Sequence, residues 1–160
     1  MKEIKIETTL QVFDDLSELP KEVENLMRKA KKAREKAYAP YSNFYVGVAI
    51  RLDNQEIITG SNQENASYPS GLCAERTAIY YAGAKYPENK MLTMAIIAGS
   101  KTNKTSSPIP PCGACRQAIA EYEVKQNIPI EIYFMGETGK IAKSDSLANL
   151  LPLVFDKSAL

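Results

Sequence analysis

The sequence predicts an α/β fold, a three-layer α/β/α domain in which helices cover both faces of a five-stranded mixed sheet. Three observations carry this. Apolar residues recur with period two over Phe44, Val46, Val48, Ile50 and Leu52, and with helical period over Val23, Leu26, Met27, Ala30, Ala33 and Ala37. The two patterns then alternate to the end of the chain, as in layered α/β domains. Finally, Met91 to Gly99 is almost wholly apolar, which suits a strand covered on both faces.

The elements follow in order. Met1 to Leu19 lacks a sustained period; Ile4 to Phe13 reads as an edge strand, and residues 1–19 stand apart as an N-terminal extension, leaving 20–160 as one domain. Pro20 suits the first position of a helix that runs to just before Pro40. Its lysines and arginines are interleaved with Glu22, Glu24 and Glu35, the pattern of a solvated face. After Tyr41-Ser42-Asn43 the alternating strand Phe44 to Leu52 turns at Asp53-Asn54 and returns as Glu56 to Ser61. A polar loop, Asn62 to Leu72, precedes a helix from Cys73 to Ala82. The apolar strand and a Ser/Thr/Pro connector, Lys101 to Pro110, lead to a second short helix, Ala114 to Tyr122. Strand Ile128 to Met135 is joined to Lys140 to Ser144 by Gly136-Glu137-Thr138-Gly139, a turn short enough only for antiparallel partners. Ser144 to Ser146 caps a last helical stretch, Leu147 to Leu151.

Composition excludes several functions. With 160 residues and a net charge of +1, the chain is one domain with no field to draw in nucleic acid or an anionic membrane, and a small uncharged partner fits better. The N-terminus has no apolar run of signal-peptide type, and Met94 to Ala98 is too short to span a bilayer. Cytoplasmic residence is the expectation.

Chemistry concentrates in two short stretches, Cys73-Ala74-Glu75-Arg76 and Pro111-Cys112-Gly113-Ala114-Cys115-Arg116-Gln117, which hold every cysteine of a chain that has no histidine. Three soft ligands leave one corner of a zinc tetrahedron open, the arrangement of catalytic rather than structural sites. Cys73 and Cys112 each open a helix, where backbone N–H groups and the dipole lower thiol pKa values. Glu75 lies close enough to Cys73 to reach solvent at the metal without binding it. Three buried structural thiols, or a Cys-x-x-Cys redox pair, are the plainer readings, but neither accounts for Cys73-x-Glu75.

Cys-x-Glu followed by Pro-Cys-x-x-Cys resembles the zinc-dependent nucleoside deaminases, most nearly the small cytidine deaminases. The resemblance spans about Val23 to Phe155. It implies a cytidine-deaminase-like fold and hydrolytic deamination of cytidine and 2′-deoxycytidine to uridine and 2′-deoxyuridine. It further implies one zinc per subunit on Cys73, Cys112 and Cys115, with Glu75 as proton shuttle. By the same match Arg76 donates to the sulfurs and offsets the negative charge of three thiolates on zinc; Arg116 is either a second such group or a surface ion-pair partner. Asn62-Gln63-Glu64-Asn65-Ala66-Ser67-Tyr68 resembles the family's nucleoside-binding loop, so that Asn62 and Glu64 would meet the ribose 3′-hydroxyl. Tyr68, Phe44 and the Ala74 backbone would complete the pocket. Leu150 to Phe155 resembles the carboxyl-terminal motif in which the aromatic, here Phe155, reaches a neighbouring subunit's base in a homotetramer. Tyr45 and Val48 depart from the family's usual proline and small residue, and the residues before Leu19 exceed its usual length. A deaminase of a related cytosine nucleoside antibiotic and a non-enzymatic zinc or thiol module are the competing readings.

Overall fold

The computed structural model describes residues 1–160. Its elements are β1 (Gln11–Phe13), α1 (Lys21–Arg34), β2 (Phe44–Leu52), β3 (Ile57–Ser61), α2 (Ala74–Lys85), β4 (Met91–Ser100), α3 (Gly113–Gln126), β5 (Glu131–Met135) and β6 (Ile141–Ser144). They form one mixed sheet in the order β1-β6-β5-β4-β2-β3. β2 runs antiparallel to β3 and β4, β4 parallel to β5, and β6 antiparallel to β5 and β1.

The sheet therefore has six strands, one more than predicted. The sixth is the last part of the expected Ile4 to Phe13 strand, laid along β6 with Val12 opposite Ala142. Phe13 packs on Tyr133 with ring centroids 6.4 Å apart, and this contact anchors a strand too short to hold on backbone bonds alone.

Period two sorts the two faces. Ala49, Ala95, Ile97, Tyr133, Met135 and Ile141 point to the α1 side and meet Val23, Leu26, Met27 and Ala30. Leu26 and Met27 are fully buried, each stabilising the docked helix by about 1.5–3 kcal/mol. On the opposite face Val48, Ile50, Met94, Ile96, Ile132 and Phe134 pack against Ala78, Ile79 and Ala82 of α2 and Ile119 and Ala120 of α3.

Several boundaries shift from expectation, each with a local cause. α1 stops at Arg34, short of Pro40, because the chain peels away to bridge the loop beyond β3: the Tyr38 amide donates to Asn62 O (3.0 Å), and Tyr38 O accepts from the Glu64 amide (2.9 Å). α3 runs past Tyr122 to Gln126 and is ended by Asn127 in the left-handed region (φ 53°), a common helix stop. The last helical stretch is only a 3-10 turn, Leu147–Asn149, capped by the Ser146 hydroxyl. Glu123 of α3 holds that turn, accepting from the amides of Ile130 (2.7 Å) and Leu147 (2.9 Å) and from Ser146 Oγ (2.6 Å). The turn after β5 joins antiparallel strands as its length requires, with Phe134 opposite Ala142. No helix is long and apolar enough to cross a membrane.

Candidate active site

α2 and α3 begin side by side on the same face of the sheet. Cys73 is the N-cap of α2 and Cys112 the N-cap of α3, with Cys115 in the first turn of α3. What brings α2 so low onto the sheet is Gly60 of β3, where a side-chain carbon would lie 2.7 Å from both Ala74 O and Ala78 N. The Ala30 carbonyl similarly overlies Gly47 on the opposite face.

The three sulfurs lie within 4.8 Å of one another, with Cys112 and Cys115 at 3.5 Å. A tetrahedral zinc with bonds of about 2.3 Å holds its sulfurs about 3.8 Å apart, so the cluster fits the ion with at most about 1 Å of adjustment at any sulfur pair. No other residue type joins the cluster, so a zinc held by these three sulfurs would keep one coordination position for solvent or substrate. All three cysteines are free thiols. Cys115 is fully buried and Cys112 exposed.

The electrostatics suit deprotonation. A hydrogen bond from Cys115 holds the Cys73 thiol down at about 5, opposed by burial and aided by the Arg76 guanidinium, whose Nη2 donates to Cys73 Sγ at 3.7 Å. The same Cys73 hydrogen bond, together with burial, pushes the Cys115 thiol upward. Arg76 is in turn raised, chiefly by its bond to Cys73. The cluster thus keeps an anionic sulfur beside a guanidinium and gives up its remaining protons when a metal binds. Glu75, 5% exposed, stands in the first turn of α2, and burial raises its pKa, the Cys73 charge adding to the effect.

A cleft of about 310 Å³ opens over this cluster, with Cys73, Glu75 and Cys112 in its floor. Phe44 and Val46 of β2, Ile96 and Ala98 of β4, and Ile109 and Pro110 of the connector supply apolar walls. Asn62, Glu64 and Ser42 stand at its rim and also line an outer cavity of about 470 Å³ with Tyr41, Tyr68 and Arg76. Tyr41 and Tyr68 meet edge to face there, centroids 6.0 Å apart.

Of the residues singled out in the sequence, Phe44, Asn62, Glu64, Cys73, Glu75 and Cys112 come together in the inner cleft, with Cys115 beneath it and Tyr68 and Arg76 in the outer cavity. Ala74 is buried behind the cleft. Phe155 is 62% exposed and lines neither cavity of its own chain. Arg116 is neither a sulfur donor nor an ion-pair partner: it donates to Pro111 O (2.8 Å) and Leu150 O (2.7 Å), tying the Cys112 loop to the C-terminal segment.

The rim is braced. The Asn62 amide accepts from the Val46 amide (2.8 Å) and donates to Phe44 O (2.9 Å), joining the loop to β2. Glu64 accepts from the Ser42 hydroxyl and from the amides of Tyr41 (2.9 Å) and Ser42 (3.3 Å), and these bonds, the hydroxyl first, lower its pKa. Ser42, Ile109 and Pro110 are cleft residues that sequence reasoning missed; the prolines flanking the Cys112 motif were the available signal for the latter two.

An α/β domain carrying a three-thiolate metal centre with an adjacent buried carboxylate belongs to the class of zinc-dependent hydrolytic enzymes. Residues 20–130 match the family model described as the cytidine and deoxycytidylate deaminase zinc-binding region, a span that includes all three cysteines and Glu75. The chain is 40% identical over 139 residues to a cytidine deaminase of Sporosarcina psychrophila, covering 87% of this chain and 95% of that one. It is 47% identical over 96 residues to a cytidine deaminase of Halalkalibacterium halodurans, covering 60% and 68% respectively. The crystal structure of a cytidine deaminase from Burkholderia pseudomallei superposes with a TM-score of 0.71 at 38% identity, over 82% of this chain and 97% of that one. The chain belongs to the cytidine deaminase family.

Proposed function

We propose that the chain hydrolyses the 4-amino group of cytidine and 2′-deoxycytidine, releasing ammonia and the uracil nucleosides. The observation that supports this most is the buried carboxylate of Glu75 beside three clustered sulfurs in the floor of an apolar-walled cleft. Phe44, Val46, Ile96 and Ala98 suit the faces of a flat pyrimidine, while the polar rim at Asn62 and Glu64 suits a sugar.

Cys73, Cys112 and Cys115 would hold the zinc, which when bound acidifies water for attack on an electron-poor carbon. In this reading Glu75 takes a proton from the attacking water and delivers it to the ring N3 as the water oxygen bonds to C4. The same carboxyl group then moves the remaining hydroxyl proton to the amino nitrogen; the C4–N bond breaks, ammonia leaves and a carbonyl forms. Burial removes competing solvent from the carboxylate, and the α2 backbone fixes it beside Cys73. Asn62 and Glu64 already serve as braces, so the sugar would meet a rim held in place rather than mobile side chains. The Ala74 backbone would meet the base and Tyr68 the sugar side.

The assembly we infer is a homotetramer. The exposed Phe155, fastened through its carbonyl to Gln117 Nε2 (2.8 Å), is available to a neighbouring subunit's cleft rather than its own. Parallel absorbance assays on cytidine, 2′-deoxycytidine and free cytosine test the substrate reading: both nucleosides should be deaminated and the free base hardly at all. Equal turnover of free cytosine would remove the sugar-binding role of the rim, and no turnover of either nucleoside would remove the proposal.

A further inference from the structure

A second cleft, of about 340 Å³, lies away from the candidate active site, where the outer edge of β3 is exposed between α1 and α2. Lys29 and Lys32 line it from α1, three residues apart on one face of the helix, and Lys36 from the turn just past its end at Arg34. Thr59 and Ser61 line it from β3, and Thr77 from α2; no carboxylate does. None of the three lysines takes part in an ion pair, although Lys21, Arg28, Arg34 and Arg51, on or against the same helix, all do.

The floor of this cleft also offers backbone donors. Leu52 N donates to Glu56 O and Asn62 N to Val46 O, and Ile50 pairs with Ile58 and Val48 with Gly60, so the even-numbered residues of β3 bond to β2. By the alternation of an antiparallel ladder, Ile57, Thr59 and Ser61 turn their N–H groups to the free edge, with their carbonyls between them, and an anion there would take the N–H groups alone. β3 ends the sheet, so these groups face the cleft without a strand partner. Ammonium groups, the Thr59 and Ser61 hydroxyls and the N–H groups of the β3 edge around one acid-free hollow are the donor set of a polyvalent oxyanion, while the Thr77 hydroxyl is spent on its own helix.

We propose that this cleft is a binding site for a phosphate-bearing anion, free or carried on a nucleotide, separate from the nucleoside cleft. Thr77 connects the two: its hydroxyl donates to the carbonyl of Cys73 (3.1 Å), so the anion site shares a wall residue with the turn that carries a zinc cysteine. Lysines at a sheet edge also serve to repel other strands. A pure guard of that kind binds no anion saturably, and titration separates the two roles.

The test is calorimetric titration of the zinc-loaded protein with inorganic tripolyphosphate at low salt, independent of any deaminase activity. Saturation at one site per chain is expected, with binding weakened about tenfold or more for each lysine removed in Lys32→Ala and Lys32→Ala/Lys36→Ala. High salt should weaken it as well, and Lys32→Arg/Lys36→Arg should restore it. Turnover of cytidine by the alanine variants should stay at the parent value, which shows that they are folded. Repeating the titration with adenosine triphosphate separates sources: tighter binding than tripolyphosphate identifies a nucleotide ligand, equal binding the phosphate group alone. Absence of saturable binding, or binding unchanged in Lys32→Ala/Lys36→Ala, overturns the assignment.

Discussion

Gly60→Ala is the sharpest structural test, because it adds a single carbon where α2 rests on the sheet. That carbon would lie 2.7 Å from Ala74 O and Ala78 N and 2.9 Å from Ala78 Cβ, whereas ordinary contact begins near 3.4 Å. Backbone, not a flexible side chain, must give, so the first turn of α2 has to lift by about 0.7 Å. Overpacking of this kind costs about 1–3 kcal/mol. At roughly 2–4 °C per kcal/mol for a domain of this size, the melting midpoint falls by about 2–12 °C. The same lift carries Cys73 and Glu75 away from Cys112, Cys115 and the β2 wall. Misplacement approaching 1 Å costs on the order of 10² in rate, so kcat/KM should fall between tenfold and a hundredfold at full zinc loading. Thermal melts, metal analysis and an absorbance assay on cytidine measure all three. A variant with parental midpoint and turnover would show that close seating of α2 on β3 does not set the site.

Glu75→Gln should leave zinc content unchanged and reduce kcat by about 10² to 10⁴ or more, the usual value of a positioned proton carrier; unaltered turnover removes Glu75 from the chemistry. Arg76→Ala takes away the guanidinium beside Cys73 and should weaken zinc about 10- to 100-fold in chelator competition, with undiminished retention contradicting its role. Glu123→Ala strands the Ile130 and Leu147 amides and should lose about 2–4 kcal/mol in denaturant melts. Glu123→Gln, which keeps an accepting oxygen, should recover part of that loss, and equal stability of all three proteins would refute the clasp.

The metal cluster was legible because its evidence is local. Cys73-x-Glu75 and Cys112-x-x-Cys115 each sit at a helix start, and the absence of histidine left no other soft ligand. The β2–β3 hairpin and the antiparallel β5–β6 pair were equally readable, the first from strict alternation and the second from turn length. What was not legible depends on partners distant in sequence. The edge strand read over Ile4 to Phe13 is real only at Gln11–Phe13, because that is where β6 offers an edge and Tyr133 a surface for Phe13. The walls at Ile96, Ala98, Ile109 and Pro110 face the cleft only once β4 lies beside β2. Asn62, expected to face a sugar, also braces β2 through both ends of its amide, a second set of hydrogen bonds that spacing cannot reveal. Arg116, placed between two local roles, instead spans 34 residues to the Leu150 carbonyl.

Zinc titration of the metal-stripped protein, with zinc content and cytidine turnover measured on the same samples, tests the central claim most directly. Turnover should rise in proportion to zinc, reach its plateau at one ion per chain, and be absent in Cys112→Ala. Full turnover without metal, or a plateau of bound zinc with no ammonia released from cytidine, would contradict it.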